Sequence, residues 1–157
     1  TARSTEKERN DPRMEEMIKF NARCYALIRS NQNRVLVMME RWQGVDLNKF
    51  PGGGLELGEG LLECIYREID EEFQESEHLS YRHLFTPTEC FASRFKPNEQ
   101  LLLNYFTSQA LAKEELWKLI PGDKNLLGMK WLELKAENAE WFTLESDRKA
   151  FLTLLEA

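Results

Sequence analysis

Three glutamates, Glu68, Glu71 and Glu72, stand at i, i+3 and i+4 in the segment PGGGLELGEGLLECIYREIDEEFQ (51–74). A helix turns by about 100° per residue, so this spacing gathers their carboxylates into one arc. Leu62, Ile65, Ile69 and Phe73 recur three and four residues apart on another side, and predict the buried stripe of a helix over 59–73. Like charges on neighbouring turns repel by roughly a few tenths of a kcal/mol per pair. A cation placed among them reverses that sign, and hard oxygen donors suit Mg²⁺, with Mn²⁺ as a near substitute. Gly52-Gly53-Gly54 adds backbone without Cβ atoms, able to offer carbonyls to a metal or amides to phosphate oxygens. Arg67, next to Glu68, is placed to hold that carboxylate by a charge-assisted hydrogen bond. Taken singly, an acidic helix face is ordinarily solvated and a glycine run ordinarily a turn. No Gly-Lys-Ser/Thr follows the glycines, so they are not a P-loop. The joint spacing carries the specificity.

Gly53, five residues, Glu59, seven residues, then Arg67-Glu68-Ile69-Asp70-Glu71-Glu72 resembles the signature of the Nudix hydrolases. Six specified positions match in identity and Ile69 matches in type. Two depart: Gln74 stands where the signature has a glycine, and Glu75 where it has an aliphatic residue. The resemblance implies an α/β fold, an α/β/α sandwich around a mixed β-sheet. It also implies metal-dependent hydrolysis of the diphosphate bond in a small nucleoside diphosphate linked to another group. Nucleoside triphosphates, nucleotide sugars, ADP-ribose and dinucleoside polyphosphates are the candidate substrates. By the same resemblance Glu68, Glu71, Glu72 and the Gly53 carbonyl are the metal ligands. Glu68, with Arg67 beside it, is the first choice to accept a proton from the attacking water; Glu89, Glu99 and Glu115 are the alternatives. Glu59 braces the loop. Arg23 and Arg41, on strands that lead to the glycines, are candidates to reach substrate phosphates, against the ordinary reading of solvated strand arginines. A nucleotide-binding or regulatory module that kept the fold is the alternative function, and the altered helix end would be its trace. A glycine closing a helix commonly turns left-handed. Gln74 disfavours that turn, so the expectation is a helix that runs on through Glu75.

The elements that must position these residues are legible in outline. At 157 residues, 42% of them hydrophobic and 31% charged, the chain suits one domain with a real core. Residues 1–12 are polar without hydrophobic period and read as a flexible tail, with the domain over 13–157. Alternation over 20–28 and 34–42 predicts two strands joined as a hairpin across Ser30–Asn33. Strands are expected over 79–94, 99–110 and 129–134, and helices over 112–119 and 145–155. Trp42, His78, His83 and the cysteines carry no assigned chemistry. The formal charge of −6 argues against a long nucleic-acid partner and leaves a small-molecule nucleotide as the expected one. Cys24, Cys64 and Cys90 form no Cys-x-x-Cys pair, which suits a reducing cytoplasm over a disulfide framework. No apolar run approaches the roughly 20 residues of a membrane helix. Nothing in the pattern excludes a homodimer.

Overall fold

The computed structural model describes residues 17–74, 77–96 and 98–157, so the expected tail over 1–12 lies outside the described residues. Strand β1 (Lys19–Leu27) organises the molecule. It pairs antiparallel with β4 (Gly52–Gly54) on one edge, and on the other it pairs parallel with β8 (Glu99–Ser108). Strands β6 (Tyr81–Phe85) and β7 (Phe91–Ala92) add to β8 antiparallel, making a mixed five-stranded sheet. A second, antiparallel sheet has the order β10 (Leu126–Glu133), β2 (Arg34–Trp42), β3 (Val45–Lys49).

Successive residues of a strand point to opposite faces. Cys24, Ala26 and Ile28, with Leu36 and Met38 of β2, therefore share one core with Cys64, Ile65 and Ile69 of helix α1 (Leu61–Glu72). Tyr25, Leu27, Val35 and Val37 share the other with Ala150, Phe151 and Leu154 of helix α2 (Glu145–Glu156). Each such fully buried Ile or Phe contributes about 1.5–3 kcal/mol. The result is a mixed sheet between helical layers, as the resemblance implied.

Four local expectations need correction. The hairpin of 20–28 with 34–42 does not form. Both edges of β1 are taken by β4 and β8, so β2 passes into the second sheet. The two segments meet only near the turn, through an isolated bridge, Arg29 to Val35, a Leu36 amide to Ile28 carbonyl bond of 3.0 Å and a Ser30 amide to Arg34 carbonyl bond of 2.7 Å among the described residues. The predicted helix over 112–119 is a short 3₁₀ turn, Glu114–Leu116, followed by β9 (Lys118–Leu119). Leu62 is 42% exposed, and Cys64 takes its place in the stripe beside Ile65, Ile69 and Phe73.

Helix α1 also does not run through Gln74. Phe73 is extended (φ −126°, ψ 138°), and Phe73–Gln74 forms a two-residue strand, β5, antiparallel to Leu119 and Lys118 of β9. The Ile120 amide caps the Glu72 carbonyl at 2.9 Å, and the Phe73 ring meets Trp117 edge-on at 5.4 Å. Pairing with a distant strand ends the helix, so no left-handed residue is required. Glu75 lies outside the described residues.

Candidate metal and diphosphate site

The glycines run directly against β1 and α1. Gly52 has φ +148°, and a Cβ there would lie 2.1 Å from the Cys24 carbonyl oxygen and 2.7 Å from Tyr25 Cα. Backbone atoms cannot yield at those distances, so only glycine fits. At Gly53 a Cβ would lie 2.5 Å from Glu68 Oε1, because the carboxylate of α1 rests against the bare backbone of β4.

Arg67 ties the loop to the helix. Its Nε and Nη2 donate to the two oxygens of Glu59 at 2.9 and 2.6 Å, and Nη2 also donates to the Gly54 carbonyl at 2.8 Å. Its Nη1 donates to Glu68 Oε1 at 3.0 Å and reaches Glu71 at 3.4 Å. The guanidinium holds the Glu59 carboxyl down to about 2, and Glu59 therefore stays a charged strut for the loop. A Glu63 carboxylate accepting from the Gly60 amide at 3.0 Å starts the helix.

The three helix glutamates sit in different surroundings. Glu71 is exposed. Burial raises the Glu68 carboxyl above its ordinary value, with Arg67 and Arg23 opposing. Glu72 is pushed up to about 8, first by burial and further by the charges of Glu68 and Glu40, with Lys49 and the Gly52 amide opposing. Its Oε2 is buried without a hydrogen-bond partner. An orphaned carboxylate oxygen in a protein interior is costly. Among the described residues, no three His, Cys, Asp or Glu side chains already converge as a complete metal cage. Arg67 engages both Glu68 and Glu71 and offsets the repulsion between their carboxylates. The donor set of hard oxygens and the orphaned Glu72 Oε2 fit a divalent cation.

Arg23 comes to this site. Its Nη1 would lie 3.6 Å from a Cβ on Gly54, Glu68 and Glu40 attract its charge, and its Nε donates to the Tyr25 hydroxyl at 2.6 Å. Arg41 does not. It lies exposed near the far end of β2, paired with Asp46 at 2.7 Å. Among the alternative bases, Glu89 is engaged by Lys149, Glu99 by Lys19 at 3.4 Å, and Glu115 is exposed in the 3₁₀ turn. Trp42 is exposed at the end of β2, and His83 bonds Thr86 at 2.7 Å. Two residues escaped the sequence reading: Glu40 and Lys49, an ion pair at 3.6 Å on β2 and β3. The signal was present. The core-facing alternation Leu36, Met38 continues to Glu40, and that of Leu47 continues to Lys49, so each strand sets a charge where an apolar residue is due.

The sequence pattern of the NUDIX domain matches residues 19–153. Among solved structures the fold is similar to a NUDIX hydrolase from Nitrosomonas europaea, at 16% identity and TM-score 0.62, covering 85% of this chain and 87% of that one. It is similar to the MutT protein of Methanosarcina mazei at 19% identity and TM-score 0.66, covering 88% and 94%. It is also similar to the E. coli dihydroneopterin triphosphate pyrophosphohydrolase at 16% identity and TM-score 0.59, covering 86% and 94%. At these identities the structural likeness is one of fold. No curated protein sequence matches the chain.

Proposed function

This chain belongs to the Nudix hydrolase family, and on that premise we propose that it cleaves, with Mg²⁺, the diphosphate bond of a small nucleoside diphosphate linked to another group. The observation that carries the reading is the buried, unpartnered Oε2 of Glu72 on a helix face shared with Glu68, against a loop that only glycine can build. Glu68, Glu71, Glu72 and the Gly53 carbonyl would hold the cation, with Mn²⁺ a near substitute. Such a cation, when bound, offsets charge on the diphosphate oxygens. The chain's own residues do the rest. Arg67 fixes Glu68 by bonding Oε1, which leaves Oε2 to accept the proton of the attacking water. Glu59 holds Arg67, and so holds Glu68 at one remove. Arg23, oriented by the Tyr25 hydroxyl, receives a phosphate oxygen.

The enzyme reading is favoured over a regulatory module because the altered signature end is absorbed by the β5–β9 pair, after the last glutamate of the helix. The net charge of −6 supports a small-molecule substrate over a long nucleic acid. Among the described residues, no helix is long and apolar enough to cross a membrane. The reading is tested by incubating the chain with nucleoside triphosphates, nucleotide sugars, ADP-ribose and dinucleoside polyphosphates, with and without Mg²⁺. Release of a nucleoside monophosphate or diphosphate only with metal is expected. Failure to turn over any of them at any Mg²⁺ or Mn²⁺ concentration would count against it.

A further inference from the structure

Beside the glutamate face lies a second crowd of charge, this one cationic. Lys49, on the last residue of β3, has a side chain only 11% exposed, and its partner Glu40 is 19% exposed. Their closest approach is 3.6 Å, and among the described residues neither charged group makes a hydrogen bond. The ion pair leaves the three donors of the ammonium open to a further acceptor. Lys49 Nζ lies 5.4 Å from the centre of the Tyr25 ring, and the Arg23 guanidinium carbon lies 5.8 Å from the same centre. Arg23 and Lys49 repel each other there, while Glu72 attracts Lys49. Two cations thus face one ring, with the Glu40 carboxylate 3.6 Å from one of them.

We infer that Lys49 is a positioning residue for the substrate's diphosphate, forming with Arg23 a two-cation clamp braced on Tyr25, and that Glu40 tethers the ammonium until the anion arrives. The inference rests on the diphosphate reading above. It adds a residue outside the signature, set three positions before Gly52, that holds the phosphate oxygens turned away from the glutamates. Lysine suits the task as a mobile point charge that can leave a 3.6 Å ion pair for a shorter bond to phosphate.

The test is equilibrium titration with methylenediphosphonate, whose P–C–P bridge water does not cleave, at saturating Mg²⁺. Lys49→Met, Lys49→Arg and Glu40→Gln are compared with the wild-type chain, each checked for a cooperative melt. Lys49→Met is expected to weaken diphosphonate binding by about 10- to 100-fold, the loss of one charge-assisted hydrogen bond. Lys49→Arg is expected to restore most of it, and KM for a turned-over substrate is expected to move more than kcat. Glu40→Gln frees the ammonium and is expected to tighten binding. Mg²⁺ alone binds Lys49→Met as well as, or better than, the wild type. Unchanged diphosphonate affinity in Lys49→Met overturns the inference, as does loss of binding of Mg²⁺ alone. Should Lys49→Met fail to fold, weaker binding by Glu40→Gln overturns it equally. Wild-type protein that binds no diphosphonate with Mg²⁺ present strikes instead at the diphosphate reading itself.

Discussion

Asp147 and Glu72 both carry a carboxylate into the interior of this molecule, and they are treated differently. Asp147, in the first turn of α2, is 2% exposed and accepts a hydrogen bond from the buried Tyr105 hydroxyl at 2.7 Å, and the Ser146 hydroxyl donates to that phenol oxygen at 3.0 Å. Glu72, in the last turn of α1, has no partner for Oε2, and its carboxylate neighbours Glu68 and Glu40 repel its charge. Burial raises both, Asp147 to about 6 and Glu72 to about 8. A buried carboxylate given a side-chain donor is part of the packing. One left with other carboxylates carries the cation site proposed above.

The largest effects separate the two by substitution. Glu72→Gln is expected to lower kcat/KM with Mg²⁺ by about 100-fold or more, the scale of losing one electrostatic contact at a reacting centre. The metal-free protein is expected to be no less stable, because an amide is neutral at every pH and replaces a carboxyl whose ionisation burial opposes. Asp147→Ala is expected to do the opposite, costing about 1–3 kcal/mol in denaturant titrations while leaving kcat/KM near wild type. Equal losses of stability from both substitutions would erase the contrast. Gly53→Ala drives a methyl into the Glu68 carboxylate. Because the end of a flexible side chain can yield, activity is expected to fall about 10-fold or more with only a modest change in melting temperature.

The pH dependence sharpens the same contrast. Both shifts are upward, so the folded, metal-free protein holds protons that the unfolded chain has released. Stability from each group then rises as pH falls through its folded value, and levels off at its ordinary value. The window for Glu72 runs from about 8 down to 4.5, and that for Asp147 from about 6 down to 3.8. Metal-free stability is therefore expected to rise as pH falls from about 8 to about 6, and Glu72→Gln is expected to lose that slope. An unaltered slope in the variant would place the titration elsewhere.

The smallest effect concerns the helix end. Gln74 is exposed in a two-residue strand, so Gln74→Gly is expected to cost roughly 0.5 kcal/mol, through chain entropy alone. A gain in stability would mean that Gln74 is strained.

What the sequence revealed, and what it hid, follows from range. The signature from Gly53 to Glu72 is local, and its helix and loop were legible because period and spacing act within a few turns. The partner of β1 was not. Its parallel register, Arg23 to Leu103 and Cys24 to Asn104, joins segments that alternation alone cannot relate, and alternation points instead to the nearer strand. The end of α1 is hidden for the same reason, since Leu119 and Trp117 supply it from outside the local sequence. Arg23 and Arg41 looked equivalent as strand arginines, and only the sheet arrangement separates one beside Gly54 from one paired with Asp46.

The central claim, that Glu72 is left unsatisfied to receive a divalent cation, is tested most directly by calorimetric titration with Mg²⁺ near neutral pH in two buffers of different ionisation enthalpy. With its carboxyl at about 8, Glu72 must give up its proton to take the metal. The account predicts release of about one proton per bound Mg²⁺ in the wild type, and weak binding without proton release in Glu72→Gln. Equal Mg²⁺ affinity and equal proton release in the two proteins would contradict it.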